Sequence, residues 1–309
     1  MKIKNIHKLK LPYQFKVKGL NRVLNRVTKR LENRVIRKNK IKGSICPGTN
    51  TTPVIVSLTT YPARTQKVQW TLKSLLNQTA TIDRLILWLA GEQYPQEIIP
   101  DEIKQYIPYG LEVRFCDDLR SHKKYYYTML ENPDVIVITV DDDVIYPEDT
   151  VEKLIRAHEK FPNAVICNQG RLIRIVNGDF AQYRKWTVNI PSSLNTPGYL
   201  VLPVGEGGVL YPPDSVDSEV FNKEGIFSSA LTADDLWLKF MSVKKGTKAV
   251  TSSKTQRAPS EVSAKESSDT ALNKQNVSGG QNDNVINNLK KQYGDVLQRL
   301  LAEADKTTT

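Results

Sequence analysis

Short apolar runs alternate with segments of helical periodicity between residues 53 and 168. Five runs rich in β-branched and other large apolar residues predict strands, at 53–58, 85–89, 111–115, 135–140 and 164–168. Between these runs, apolar residues recur every three to four positions and predict helices, at 66–78, 101–106, 121–130 and 148–161. Apolar strands that alternate with helices are typical of a mostly parallel sheet covered on both faces. We therefore expect an α/β sandwich.

The pattern changes after residue 168. Residues 170–232 intersperse Gly, Pro and Tyr, which predicts loops and short strands that face a substrate. Helical spacing returns at 233–245. Residues 251–280 are rich in Ser, Thr, Lys and Gln, and we expect a loop that is partly disordered. Apolar residues between 285 and 301 predict one amphipathic helix that closes the chain.

The N-terminal segment, residues 1–45, has its own periodicity. Six apolar residues recur at helical spacing with Arg and Lys on the other face: Val17, Leu20, Leu24, Val27, Leu31 and Val35. This pattern predicts an amphipathic helix, followed by a linker at 46–52. Such a helix can pack on the body or on a partner helix, or it can lie in the plane of an anionic membrane. Binding to nucleic acid is a third reading.

Charge separates this segment from the rest of the chain. The formal net charge is +11, but residues 1–45 contain 15 Lys and Arg and one acid, which is a local net of +14. The remaining 29 basic and 32 acidic residues give a net of −3. This distribution disfavours a wholly basic protein that coats nucleic acid.

Composition is that of a soluble globular protein, with 39% hydrophobic and 25% charged residues. The longest apolar runs are about six residues, whereas a membrane-spanning helix needs about 20. The basic N-terminus lacks the apolar stretch of a secretory signal. Three scattered cysteines without metal-ligand spacing predict reduced side chains in a cytosolic protein.

Three consecutive carboxylates, Asp141–Asp143, directly follow the apolar strand at 135–140. Ligands of open α/β sheets bind beyond the carboxyl ends of the strands. Adjacent carboxylates repel one another, and a hard divalent cation with oxygen ligands relieves that repulsion. The segment therefore predicts a site for Mg²⁺ or Mn²⁺, although a solvated acidic turn would have the same sequence.

A second acidic pair, Asp234 and Asp235, opens the helix predicted at 233–245. Acidic residues at a helix start stabilise it by capping, by about 1 kcal/mol. A carboxylate held in a cleft can instead take a proton from an attacking hydroxyl. Both readings remain open for this pair.

Cations and glycines near the predicted strand ends are further candidates. Arg64 follows the first strand, and Lys123 and Lys124 precede the strand that leads to the carboxylates. Each can contact a phosphate or lie in a surface ion pair. Gly207 and Gly208 allow a close backbone approach to a ligand or simply a tight turn. Neither the dinucleotide-binding G-x-G-x-x-G nor the P-loop motif occurs in the chain.

Together these motifs resemble GT-A nucleotide-sugar glycosyltransferases, most closely the bacterial family-2-like enzymes of capsule and surface polysaccharide assembly, with exostosin-like DxD features. The resemblance spans about residues 53–245 and rests on four motifs: Thr60–Arg64, the DxD-like Asp141–Asp143, Gly207-Gly208 and Asp234-Asp235. It implies a GT-A domain, a Rossmann-like α/β/α sandwich, at 53–250. The basic segment 1–45, the linker 46–52, the polar loop 251–280 and a C-terminal helix and tail at 281–309 would surround it.

The resemblance also implies a role for each candidate residue. Asp143, together with Asp141, would bind Mn²⁺ or Mg²⁺, and Asp235 would be the catalytic base with Asp234 in support. Gly207 and Gly208 would contact the acceptor. The donor would be bound by a larger set: Thr60, Arg64, Lys123, Lys124, Asp141 and Asp142.

The implied activity is transfer of a hexosyl or N-acetylhexosaminyl group from a UDP-sugar to a glycan or lipid-linked acceptor in surface polysaccharide synthesis. Residues 1–45 would hold the enzyme at the cytoplasmic face of an anionic membrane, with no role for nucleic acid. The chain lacks Q-x-x-R-W, which disfavours a processive synthase. Asp235 acts as a base only if the reaction inverts the anomeric configuration, because exostosin-like enzymes retain it. Two alternatives are a metal-dependent nucleotidyltransferase and a non-catalytic, membrane-associated GT-A-like scaffold.

Overall fold

A computed structural model describes residues 40–188, 190, 196–253, 260–262 and 280–308. The amphipathic helix predicted at 17–36 lies outside the described residues, as does most of the polar segment 251–280. No helix in the described ranges is long and apolar enough to cross a membrane.

A central sheet with helices on both sides lies in the middle of the body. The body as a whole also contains shorter strands outside this sheet. Its strands are β1 (Val54–Thr59), β2 (Arg84–Ala90), β3 (Leu111–Cys116), β4 (Ile136–Thr139), β5 (Val144–Ile145), β6 (Val165–Cys167), β7 (Gly170–Leu172), β8 (Ile175–Val176), β9 (Asp179–Phe180), β10 (Thr187–Val188), β11 (Val201–Pro203), β12 (Val209–Tyr211), β13 (Ala249–Thr251) and β14 (Ser260–Glu261). Its α-helices are α1 (Thr65–Leu75), α2 (Asp101–Lys104), α3 (Lys123–Glu131), α4 (Thr150–Lys160), α5 (Lys223–Gly225), α6 (Asp234–Lys245), α7 (Gln281–Gln292) and α8 (Gly294–Thr308).

Seven strands form the central sheet in the order β13-β6-β12-β4-β1-β2-β3. Six of them are parallel, and β12 runs antiparallel to its neighbours β4 and β6. The mostly parallel α/β fold predicted from the sequence is confirmed, and each of the five predicted strands is present. The antiparallel β12 lies in the region predicted only as loops and short strands. The periodicity distinguishes neither this strand nor β13 at the edge of the sheet.

Alternate residues of the strands pack into cores on the two faces of the sheet. Val56 and Leu58 of β1 join a core with apolar residues of α1 and α4. Ile55 points to the other face, where Ile86 and Trp88 of β2 lie beside it. A larger core on that side joins α3, α6, α7 and α8. Because side chains of a strand alternate between faces, an uninterrupted apolar strand requires both layers of helices.

The prediction of a single closing helix at 285–301 is wrong. The chain forms two helices, α7 and α8, and Tyr293 between them has non-helical backbone angles, φ −127° and ψ 60°. Gly294 follows directly, and glycine is a poor helix former. The Tyr293 hydroxyl lies 3.0 Å from Oε1 of Glu219, and its ring packs edge-on against Trp237. These tertiary contacts hold the break, which apolar spacing alone does not reveal.

The segment before β1 is attached to the body. Ile45 forms a parallel bridge with Ile82, and the N–H of Cys46 donates to the Ile82 carbonyl. Asp83 accepts the N–H groups of Gly48 and Val54, at 2.7 and 2.8 Å. Residues 46–52, predicted as a linker, are therefore held at one end of the sheet.

Candidate active site

Three chain segments meet at one edge of the central sheet. Strands β1 and β4 are parallel neighbours, so Thr60 after β1 and Asp141–Asp143 after β4 leave the sheet on the same side. Strand β12 is antiparallel, so the turn that precedes it, Gly205–Gly208, arrives at that side as well. The edge at the carboxyl ends of parallel strands is where α/β proteins bind ligands.

The middle carboxylate of the triplet, Asp142, is buried and points inward. Its Oδ2 accepts a hydrogen bond from Thr60 Oγ1 at 2.6 Å, and its Oδ1 pairs with Arg64 Nη1 at 2.5 Å. Arg64 Nη2 also lies 3.1 Å from Asp143. Thr60, Arg64 and Asp142, all predicted as donor contacts, thus bind one another. Asp141 and Asp143 on either side are partly exposed.

Helix α1 holds the acidic loop in place through hydroxyl groups. Thr71 Oγ1 lies 2.9 Å from the Asp142 carbonyl and 2.7 Å from that of Val144. Ser74 Oγ accepts the N–H of Tyr146, whose hydroxyl in turn accepts the N–H of Asp141 at 2.9 Å. The sequence interpretation missed these residues. Their signal was the presence of small hydroxyl side chains on the otherwise apolar, buried face of a predicted helix.

Lys124 joins the two acidic motifs. Its buried ammonium lies 2.7 Å from Oδ1 of Asp141 and 2.7 Å from Oδ2 of Asp234. Burial favours the neutral amine, but the nearby carboxylates outweigh it and raise the pKa of Lys124 well above its usual value. Lys124 therefore remains charged, and it links motifs that lie far apart in the sequence.

Lys123, the adjacent residue, points elsewhere. Its ammonium is buried and pairs with Asp118. Both lysines were predicted to contact the donor. Only Lys124 contacts the carboxylates described above, and in the structure Lys123 stabilises the start of α3.

The two members of the acidic pair have opposite environments. Burial raises the pKa of both, but the ion pair with Lys124 holds that of Asp234 at about 2. Asp235 has no such partner, and burial together with the charge of Asp234 raises its pKa to about 7. Asp234 is buried, whereas Asp235 is partly exposed. Asp234 is thus fixed as a carboxylate, and Asp235 can take up a proton near neutral pH.

The imidazole of His122 behind this pair is fully buried and neutral. Its Nε2–H donates to the Ala230 carbonyl at 2.9 Å, and Nδ1 accepts from the Tyr125 hydroxyl at 2.8 Å. Burial lowers the pKa of His122, although Asp234 opposes that shift. Both ring nitrogens are occupied, so His122 positions its neighbours and does not exchange protons with a substrate.

Gly205 is the glycine that approaches the carboxylates. Its N–H donates to both oxygens of Asp235, at 3.2 and 3.1 Å. A Cβ there would lie 2.9 Å from Asp235 Oδ1 and 3.0 Å from Lys124 Nζ. Gly207 and Gly208, predicted as acceptor contacts, are both buried, and their carbonyls bind the side chain and backbone of Asn168.

The site has an excess of negative charge that a cation would offset. Five carboxylates, Asp141–Asp143 and Asp234-Asp235, face two cations, Arg64 and Lys124. Burial and the neighbouring carboxylates raise the pKa of Asp143 to about 6, against the opposing effect of Arg64. In the described ranges, no three His, Cys, Asp or Glu side chains form a group that could hold a metal alone. Mg²⁺ commonly uses one or two carboxylates plus substrate phosphates, and Asp141 and Asp143 fit that arrangement.

The chain matches no protein-family model, and no curated protein sequence is significantly similar to it. Among solved structures, the mannosyltransferase PcManGT from Pyrobaculum calidifontis, in complex with GDP-Man and Mn²⁺, is similar over 74% of this chain and 62% of its own, with 13% identity and a TM-score of 0.42. Glucosyl-3-phosphoglycerate synthase from Mycobacterium tuberculosis, with Mn²⁺, UDP-Glc and phosphoglyceric acid, matches over 40% of this chain and 49% of its own, with 14% identity and a TM-score of 0.31.

A nucleotidyltransferase also resembles the chain. The CMP:2-keto-3-deoxy-manno-octonic acid synthetase complexed with CTP is similar over 65% of this chain and 89% of its own, with 12% identity and a TM-score of 0.40. All three TM-scores lie below 0.5. An assignment of function therefore depends on the side chains of the site.

Proposed function

We propose that this protein is a metal-dependent glycosyltransferase of surface polysaccharide synthesis. It moves a sugar from a nucleoside diphosphate sugar, which we propose is a UDP-sugar, to a glycan or lipid-linked acceptor. One observation carries the proposal. Lys124 and Gly205 bring the carboxylates after β4 next to the acidic pair at the start of α6. A donor site and a general base thus lie side by side at the ligand-binding edge of the sheet.

The donor half of the site is formed by Asp141 and Asp143. A divalent cation held between these carboxylates and the donor diphosphate would neutralise the charge that develops on the leaving nucleoside diphosphate. The hydrogen bonds of Asp142 with Thr60 and Arg64 fix the conformation of the acidic loop 141–143. Arg64 also lies beside Asp143, where its guanidinium can bind a phosphate oxygen.

The acceptor half is centred on Asp235. A carboxylate with a pKa of about 7 is poised to remove the proton of an acceptor hydroxyl as that oxygen attacks the sugar. Asp234 cannot do so, because it is buried and paired with Lys124. Its negative charge keeps Lys124 in position and raises the proton affinity of Asp235. Direct attack of this kind inverts the anomeric configuration.

We further propose that residues 1–45 hold the enzyme at an anionic membrane surface, on the cytoplasmic face. The local net charge of +14 supports this location, since each basic residue near such a surface contributes about 1 kcal/mol. A lipid-linked acceptor would be available there.

The test is release of nucleoside diphosphate from UDP- and GDP-sugars by the purified protein with Mn²⁺ and no nucleoside triphosphate. Release that falls at least a hundredfold in Asp143→Asn but not in Glu148→Gln supports the proposal. Glu148 is a suitable control because it is an acidic residue close by in sequence, with an exposed side chain. Turnover that requires a nucleoside triphosphate would indicate a nucleotidyltransferase. Binding of UDP with Mn²⁺ but no turnover would indicate a scaffold.

A further inference from the structure

An open groove lies beside the segment that leads into the acidic pair. It has a volume of about 610 Å³ and is formed by residues 227–232 on one side and helix α7 on the other. The first wall contains a π-helix, Ile226–Ala230, a form of backbone that occurs often at functional sites. Nothing in the catalytic arrangement described above uses this groove.

The two walls are joined at both ends of α7. Gln281, the first residue of that helix, donates to Thr232 Oγ1 at 3.0 Å. Gln292, the last residue, accepts from Ser229 Oγ at 2.6 Å. The first wall is also held from behind, because the Ala230 carbonyl binds His122. The groove is therefore a fixed feature of the surface.

Two polar side chains of α7 that line the groove between these ends, Asn284 and Asn288, are unengaged. Asn284 and Asn288 are exposed, and within the described part of the chain their side-chain amides form no hydrogen bond. They lie four residues apart on α7, so they share one face at a spacing of about 6 Å along the axis. Each amide offers two donors and an acceptor. Phe227, with 54% of its surface exposed, provides an apolar ring on the opposite wall.

Among the residues that the structure describes, none that lines the groove is charged. This is unusual beside an acidic site in a chain with 25% charged residues. Amides that can donate and accept, next to an exposed aromatic face, match a ligand that carries hydroxyl groups around apolar ring faces. A phosphate or a carboxylate would find no cation here to neutralise it.

The groove lies close in sequence to Asp235. Thr232 on the groove wall is three residues before Asp235, so their Cα atoms are at most about 11 Å apart. We propose that this groove binds a neutral oligosaccharide. The role of this oligosaccharide rests on the sugar transfer proposed above. In that reaction the groove holds the acceptor glycan, and the terminal hydroxyl of the glycan reaches Asp235.

The test is ligand-observed NMR of the full chain with three neutral hexasaccharides, derived from a β-glucan, an α-mannan and chitin, and with a galacturonic acid hexamer as the anionic control. We expect at least one neutral hexasaccharide to bind, and the anionic hexamer not to. Phe227→Ala, and Asn284→Ala combined with Asn288→Ala, should weaken binding about tenfold, as expected for loss of a stacked ring or of one or two hydrogen bonds. Tyr109→Ala is the matched control, because Tyr109 is an exposed aromatic residue outside the groove.

The groove assignment is overturned if no neutral hexasaccharide binds, if the anionic hexamer binds equally well, or if the variants bind like the wild type. Melting curves of each variant establish that it is folded, which is expected because the substituted side chains are exposed. Nucleoside diphosphate release by the wild type is measured in parallel, with water or the added hexasaccharide as the acceptor of the sugar. Oligosaccharide binding without such release would support the groove assignment and contradict the proposed sugar transfer. Release without oligosaccharide binding would support the sugar transfer and contradict the groove assignment.

Discussion

Asp235 accepts the backbone N–H of Gly205 with both carboxylate oxygens, at 3.2 and 3.1 Å. The contact joins the start of α6 to the turn before β12, across 30 positions of sequence. Any residue except proline could donate this bond at position 205, because the donor is a backbone N–H. Only glycine also leaves space for the Asp235 carboxylate and the Lys124 ammonium.

Gly205→Ala should therefore impair sugar transfer strongly. The added methyl carbon would lie 2.9 Å from Asp235 Oδ1 and 3.0 Å from Lys124 Nζ, so both groups must move. A displacement of about 1 Å can cost roughly a hundredfold in rate. Gly294→Ala is the control, because a Cβ at Gly294 has no neighbour within 4 Å. Equal turnover of the two variants would contradict a role for the close approach at Gly205.

The pH dependence of transfer should report Asp235. Since burial and Asp234 raise its pKa to about 7, the fraction of unprotonated base falls about tenfold per unit below that pH. Asp235→Asn should reduce the rate by about 10²–10⁴-fold and abolish this acid limb. The profile must be recorded at saturating Mn²⁺, because protonation of Asp143 weakens cation binding and excess cation reverses it. An acid limb that persists in Asp235→Asn would assign it to another group.

The same shift predicts that Asp235 destabilises the folded protein at neutral pH. Its pKa is 3.8 as the reference value and about 7 when folded, so the folded state binds more protons between these values. The free energy of unfolding then falls as pH rises through this window. Asp235→Asn keeps an oxygen that accepts the Gly205 N–H and should gain on the order of 1 kcal/mol at pH 8, a few degrees in melting temperature. At pH 4 the two proteins should melt alike.

Lys239 should be a second site where substitution stabilises the protein. Lys239 belongs to α6, its side chain is buried, and its ammonium has no hydrogen-bond partner in the described structure. Burial lowers its pKa to about 7 from 10.5. The unfolded chain therefore binds more protons between these values, and the free energy of unfolding rises with pH across that range.

Lys239→Met should remove this dependence and stabilise the protein by about 1–3 kcal/mol at pH 7, because the stem remains apolar and no polar atom is left unsatisfied. Chemical denaturation at pH 7 and pH 9.5 provides the measurement. The gain should be smaller at the higher pH. If the unfolding midpoint of Lys239→Met at pH 7 is equal to or below that of the wild type, the Lys239 ammonium has a hydrogen-bond partner in the folded protein.

Deletion of residues 1–39 should release the protein from anionic liposomes without loss of transfer to a soluble acceptor. The cut at 39 is preferable to one at 45, because Ser44 donates to the Leu75 carbonyl and Ile45 pairs with Ile82. Co-sedimentation with phosphatidylserine vesicles, at low and high salt, provides the measurement. A truncated protein that still sediments would place the membrane contact in the body.

Local periodicity was sufficient to predict most of the parallel part of the fold. Strands β1, β2 and β4 are buried on both faces, which leaves a continuous apolar run in the sequence. Strand β3 at the edge of the sheet is only partly buried, and its apolar and polar residues alternate. The antiparallel β12 has three residues and follows a Gly-rich turn, so its place between β4 and β6 depends on pairing that no local pattern encodes. The break at Tyr293 likewise depends on contacts with Glu219 and Trp237.

The acidic residues of the site were identifiable because charge directly after an apolar strand, or at a helix start, is a local signal. Their distinct environments were not identifiable. The contrast between Asp234 and Asp235 depends on Lys124, which lies 17 positions before Asp141 and more than a hundred before the pair. Gly205 could not be distinguished from Gly207 and Gly208, since all three occur in one short motif and only one meets the carboxylates.

The place of β12 also sets the order in which the molecule can be assembled. Strand β12 separates β4 from β6, although both precede it in the chain, so the sheet cannot close across its middle until residue 211 has been synthesised. The strands β1 to β4 can pair earlier, because their contacts are closer in sequence. The nascent protein thus presents its acidic loop well before Gly205 and Asp235 reach it. The acidic site described above is therefore complete only after residue 235 has been synthesised.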